Sequence, residues 1–210
     1  MRIRNSLKES MVALCAAAIL VPSGVAAAST AAAGSNLFLG AQLGGSSLAA
    51  DTEGPGAAFS EFDHDVTVSG AVLAGYESIY SDQHYRLTGT LGYGQWNNAR
   101  SLEALGGVDL LWRQSDGSGA VYIGPRLGAI RFSDDITDQS NTRFAWGVEV
   151  GALTELETRF SSGDQSISVG MFLRHTVIDA RQNGEAGNGL DRDIKLRSQT
   201  SFGFQVLIWR

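Results

Sequence analysis

The chain has 210 residues, a length that suits one domain, and its 22 acidic against 16 basic side chains give a formal charge of −6. That acidic balance argues against nucleic acid as a partner, because binding phosphates demands clustered Lys and Arg. A single cysteine excludes an internal disulfide, and beyond the first thirty residues no stretch is apolar enough to cross a membrane as a helix.

The amino terminus reads as a segment apart. Arg2, Arg4 and Lys8 form a basic head, Met11 to Val21 is an apolar run broken only by Cys15, and Ala26, Ala27 and Ala28 supply small residues. This is the three-part layout of a secretory signal peptide, with cleavage expected after Ala28. An anchoring helix is the competing reading, but the run is far short of the roughly 20 residues a bilayer requires. Leu14 stands where a lipoprotein anchor at Cys15 would want a small residue. Three cations and one anion leave with residues 1–28, taking the formal charge from −6 to −8. Loss of Cys15 also removes any thiolate metal site. Residues 29–35 are then a short periplasmic segment, and residues 36–210 form the folded body.

From Asn36 onward the sequence alternates with period two. In the first segment Leu37, Leu39, Ala41 and Leu43 share one face, with Asn36, Gly40, Gln42 and Gly44 on the other. Val66 to Glu77, Tyr85 to Gly94 and Leu102 to Arg113 repeat the scheme, each with a bulky apolar face and a face rich in Gly, Ser, Thr and charge. Val121 to Ala129, Arg143 to Ala152, Ser166 to Val177 and Arg197 to Ile208 complete the series. Eight segments of about 9–11 residues predict an all-β fold, an eight-stranded antiparallel up-and-down transmembrane barrel. A soluble barrel would turn the small, charged face to water and usually carry many Lys there. Lys195 is the sole lysine after the leader, which favours the membrane form.

Link lengths carry the same message. Ser81 to Gln83, Gln114 to Gly119 and Glu157 to Gln165 are the turns after even-numbered segments. Gly45 to Asp65, Ser133 to Asn141 and Asp179 to Asp193 are longer and polar, while Gln95 to Ser101 is short. Short turns on one side and longer loops on the other place both chain ends in the periplasm. Tyr76, Tyr80, Tyr85 and Trp112 fall at the periplasmic ends, and Tyr93, Trp96, Phe132, Phe144 and Trp146 at the outer ends. Such clustering fits interfacial girdles better than ordinary core aromatics.

The inward parity carries Arg86, Arg113, Arg126, Arg143, Arg174 and Arg197 against Glu77, Glu103, Asp109, Glu149 and Glu155. An eight-stranded lumen is just wide enough for side chains to fill it, and an unpaired charge there is costly. A salt-bridged plug is therefore expected, with Arg forking onto carboxylates. A conducting pore for small solutes is the competing reading.

Pattern and last strand together resemble a known family, the small eight-stranded outer-membrane proteins grouped with the barrel domain of OmpA, OmpX and the opacity proteins. The closest correspondence is the carboxyl-terminal stretch around Ser201, Gly203, Val206 and Ile208, similar to the signal read by the outer-membrane assembly machinery. That signal usually ends on an aromatic, where this chain has Ile208 followed by Trp209 and Arg210. The resemblance implies an outer-membrane location, contact with membrane lipid and lipopolysaccharide, outer loops open to an extracellular partner, and no cofactor.

Some barrels of this size are lipid A-modifying enzymes. His175 lies on the lipid-facing parity near the outer leaflet, and counting through the last hairpin puts Ser198 roughly across from it. A His beside a hydroxyl is a nucleophile–base arrangement. The lipid A deacylases carry His-x-Ser-Asn, however, where this chain reads His175-Thr176-Val177-Ile178. An interfacial His is therefore the expectation, and the chain reads as non-enzymatic. His64 between Asp63 and Asp65, and Asp134 with Asp135 and Asp138, are acidic loop clusters too sparse for a dedicated metal site. His84 sits at a periplasmic turn without evident partner chemistry.

Overall fold

The computed structural model describes residues 36–53, 66–80, 83–96, 99–115, 118–134, 139–156, 166–185 and 191–210. Residues 1–28, expected to be a signal peptide, and residues 29–35 lie outside them, as do Asp63, His64, Asp65, Asp135 and Asp138.

Eight strands follow one another: β1 (Asn36–Glu53), β2 (Val66–Tyr80), β3 (Gln83–Trp96), β4 (Ala99–Arg113), β5 (Gly119–Asp134), β6 (Gln139–Leu156), β7 (Ser166–Glu185) and β8 (Asp191–Trp209). Each pairs antiparallel with its neighbour in sequence, and β8 returns to β1, so the sheet closes into a barrel. Closure leaves no sheet edge with unpaired backbone groups. An even number of strands brings both ends of the barrel chain to one rim, where Leu37 and Arg210 exchange backbone hydrogen bonds. That rim also holds the tight connection between Tyr80 and Gln83. It is called the terminal rim below, and the opposite end the far rim.

The strands reach further at the far rim than alternation suggests. β7 and β8 continue as a paired ladder to Glu185 and from Asp191, across most of the stretch expected as a loop. The alternating signal fades there because both faces become polar, while the backbone ladder needs no side-chain contrast to persist.

Period two sorts the side chains into two environments. Leu43, Val68, Leu91, Leu127, Met171 and Phe204 point outward and are exposed, whereas Gln42, Arg86, Glu103, Arg126, Glu149 and Arg174 point inward and are buried. The interior is not uniformly polar. Phe38, Leu73, Leu111, Ala120, Tyr122, Leu153, Leu207 and Trp209 form an apolar cluster toward the terminal rim. A second cluster toward the far rim joins Leu48, Leu105, Ile130, Phe132, Ala145, Ile178 and Leu196. Charge is thus held between two greasy stoppers.

Two expectations fail here for identifiable reasons. Phe132, expected in the outer girdle, is buried in the far-rim cluster. It shares the even parity of Arg126 and Ile130 on β5, and parity rather than nearness to a strand end decides which way a ring points. Arg197, expected in the lumen, is exposed. On β8 the pairing steps from Ser198 to Leu196 against both β1 and β7, skipping Arg197. One extra residue in a strand reverses the faces beyond it, so Leu196 takes the inward place and Arg197 the outward one.

Candidate functional site

The inward charges lie on neighbouring strands at matched register. Glu77 on β2 faces Arg86 on β3, and Arg86 faces Asp109 on β4. Glu149 on β6 likewise faces Arg174 on β7. Opposite charges directly across a ladder attract at close quarters, and here they do so with water excluded.

Two carboxylates act as hubs. Asp109 accepts from Arg86 Nε at 2.8 Å, Arg126 Nη1 at 2.6 Å and Thr88 Oγ1 at 3.2 Å. Glu149 Oε1 accepts from Arg126 Nη2 at 3.1 Å, Tyr122 Oη at 3.0 Å and Gln42 Nε2 at 3.4 Å, while its Oε2 lies 3.5 Å from Arg174 Nη1. Arg126 therefore forks between the two hubs, and Arg174 reaches on to Glu103. Asp109, Arg126 and Glu149 have no solvent-exposed surface. A charge so placed is tolerable only when its partners are fixed, since removing one leaves another buried and uncompensated.

Glycine makes the crowding feasible. Arg126 lies between Gly107 on β4 and Gly147 on β6 in the register. A Cβ added to Gly107 would run into the Arg126 guanidinium, and one added to Gly124 would run into the Asp109 carboxylate. Tyr122 fills the remaining gap: the Arg86 guanidinium stacks 4.1 Å over its ring, and its hydroxyl accepts from Gln205 Nε2 at 2.7 Å.

A second group of charges sits closer to the terminal rim. Arg113 donates to both Glu77 oxygens at 2.9 and 2.7 Å, and to Glu155 at 2.6 Å. His84 Nδ1 lies 2.7 Å from Glu77 Oε1. Sequence position at a turn suggests no role for His84, although its even parity on β3 matches that of Arg86. Arg143 has the inward parity of β6 but is exposed, and it joins no ion pair among the described residues. The lumen thus brings together Arg86, Glu103, Asp109, Arg113, Arg126, Glu149 and Arg174, and leaves Arg143 and Arg197 outside.

On the outward face, His175 pairs in register with Thr200, and its Nδ1 lies 2.9 Å from Thr200 Oγ1. Ser198, expected across from His175, instead faces Val177 and Ala49. The expected count missed the true partner by one step of the same face. Val148 occupies the other register position beside His175, and no carboxylate among the described residues hydrogen-bonds the ring. Among the described residues the His175 and Thr200 pair has no hydrogen-bonded carboxylate of the kind that orients the imidazole in a hydrolytic triad. On the last strand, Ser201 is buried in the lumen while Val206 and Ile208 are exposed outward. The described residues contain no cluster of three or more potential metal ligands.

No family model matches the sequence, and no curated protein matches it. Among solved structures, the barrel is similar to the crystal structure of Neisserial surface protein A, with a TM-score of 0.50 and 13% sequence identity. The match covers 82% of this chain and 95% of that one. At that identity the likeness is one of fold, the closed eight-stranded barrel.

Proposed function

We propose that the chain is a non-enzymatic outer-membrane barrel with a closed lumen, acting in envelope structure or in surface contact through the loops of its far rim. The observation that carries this reading is the reversed polarity of the barrel. The described residues include 26 large apolar side chains that are exposed, while the buried set is rich in ion pairs. Exposing one such side chain to water costs about 1.5–3 kcal/mol relative to full burial. Even at partial exposure the sum reaches tens of kcal/mol, well above the roughly 5–15 kcal/mol that holds a domain folded. Hydrocarbon around the barrel removes that cost, and a closed barrel satisfies its backbone without water. Tyr76, Tyr80, Tyr85 and Trp112 toward the terminal rim, with Phe144 and Trp146 toward the far rim, are exposed outward as interfacial girdles require.

On this reading the terminal rim faces the periplasm, residues 1–28 direct export, and the last strand with Ser201, Gly203, Val206 and Ile208 is read by the assembly machinery. The fold shared with a protein titled as a surface protein is consistent with that location. Two apolar clusters and an ion-pair core between them occupy the interior among the described residues, which supports a barrel that does not act as a pore. Planar-bilayer recording with the purified full chain tests this. Absence of steady single-channel steps is expected, and a stable ohmic conductance would end the closed-lumen reading.

A further inference from the structure

The lumen is not filled evenly. Gln42 on β1, Ala71 on β2, Gly92 on β3 and Glu103 on β4 occupy one inward register row. Two long polar side chains in that row are separated by two of the smallest residues, which leaves a hollow between them. A Cβ added to Gly92 would run into the Glu103 carboxylate, so the bare backbone there gives that carboxylate its place. Phe172 and Arg174 on β7 and Gln199 on β8 complete the lining, and about 10 Å³ of the hollow is open to the centre of a water-sized sphere.

The polar atoms around this hollow are not all paired within the protein. Gln42, Glu103, Arg174 and Gln199 are buried, none of them more than 4% exposed. Yet Gln42 Oε1, Glu103 Oε2, Gln199 Oε1 and Arg174 Nε have no hydrogen-bond partner among the described residues. Turning over the Gln42 amide does not repair this. Its Nε2 donates to Glu149 Oε1 at 3.4 Å, and reversal would set an oxygen against a carboxylate. Buried polar groups without partners are costly, and four of them on side chains lining one hollow call for a ligand.

We infer that the hollow is a binding site for a single water molecule, which accepts from Arg174 Nε and donates to Gln42 Oε1 and Glu103 Oε2, with Gln199 Oε1 as a further acceptor. The space suits about one water, and two to four polar partners are what a buried water needs. Charge argues against an ion. Arg86, Arg126 and Arg174 are already balanced by Glu103, Asp109 and Glu149. A cation would meet the Arg174 guanidinium, and an anion would meet three oxygens, whereas water both donates and accepts. The water also closes a ring. Glu149 holds Gln42 and Arg174, Arg174 holds Glu103, and the water joins Glu103 back to Gln42. The site depends on the lumen alone, whatever solvent surrounds the barrel.

High-resolution crystallography of the chain folded in detergent tests this, with a second crystal soaked in rubidium bromide. One peak of water height is expected within about 3.2 Å of Gln42 Oε1, Glu103 Oε2 and Arg174 Nε, with no anomalous signal from either soaked ion. Ala71→Val, which fills the hollow, and Gln199→Leu, which replaces an acceptor with an apolar branch, should each lose the peak. Met171→Leu on the outward face should keep it. A hollow without density in the wild type overturns the inference, as does a peak that persists in both lumen variants. An anomalous peak, or contacts shorter than hydrogen-bond distance, marks a bound ion and overturns it equally. Heat-modifiable migration in electrophoresis verifies that each variant is folded, and either lumen variant alone is enough to decide.

Discussion

Glu149 is the residue whose removal should report most clearly on how the interior is held. Its carboxylate has no solvent-exposed surface and contacts Arg126, Arg174, Tyr122 and Gln42. Glu149→Ala strips a charge from two buried arginines at once, and breaking a buried pair from one side costs about 3–5 kcal/mol. Arg126 keeps Asp109 and Arg174 keeps Glu103, so the loss should fall within that range rather than double it. Glu149→Gln retains the shape and one acceptor, and should cost about half as much, in line with hydrogen bonds to charged groups of about 1.5–3 kcal/mol. Equilibrium urea unfolding of the barrel in lipid vesicles, followed by tryptophan fluorescence, measures both. The Arg126→Met, Glu149→Gln cycle should then show a coupling of about 1.5 kcal/mol or more. If Glu149→Ala lowers stability by less than about 0.5 kcal/mol, as an ordinary surface change would, the lumen network is not what orders the interior.

Other consequences follow from particular positions. Gly124→Val forces a branched side chain into the space of the Asp109 carboxylate and should destabilise by about 1–3 kcal/mol, an overpacking cost read by the same urea titration. On the outward face, Leu173→Arg lies in the middle of β7 and should cost about 2–4 kcal/mol in lipid, while Tyr80→Arg at the terminal rim should cost only about 0–1 kcal/mol. Equal costs at the two positions would show that depth in a bilayer is irrelevant to this surface. His175→Ala should leave the acylation of lipid A in cells unchanged, as judged by mass spectrometry, because the His175 and Thr200 pair lacks an orienting acid.

Fold class was legible because the period-two contrast is written eight times, from Leu37 and Gln42 on the first strand to Ile208 and Gln205 on the last. Parity also singled out most of the lumen charges, since Arg86, Asp109, Arg126, Glu149 and Arg174 sit on regular stretches of strand. Pairing partners were not legible, because they depend on register between strands: nothing local to Arg126 shows that Asp109 and Glu149 converge on it. Arg197 and Ser198 were misplaced for a related reason. The bulge at β8 shifts both face and register, and its sequence has no Gly or Pro to mark it. Phe132 and His84 were within reach, as their even parities match Ile130 and Arg86, whereas nearness to a strand end does not decide which way a ring points. The apolar stoppers were obscured because Leu48, Leu73, Leu105 and Leu111 interrupt the polar face with residues that look as though they belong to the other side.

Single-tryptophan variants in vesicles with brominated acyl chains test the reversed polarity most directly. Trp112 and Trp146 are exposed outward, while Trp209 is buried in the lumen with its Nε1 donating to Ser168 Oγ at 2.8 Å. Fluorescence of the Trp112-only and Trp146-only barrels should be strongly quenched by the bromines, and that of the Trp209-only barrel should be spared. Quenching of Trp209 with protection of Trp112 and Trp146 would mean that the apolar face is turned inward, contradicting the account at its root.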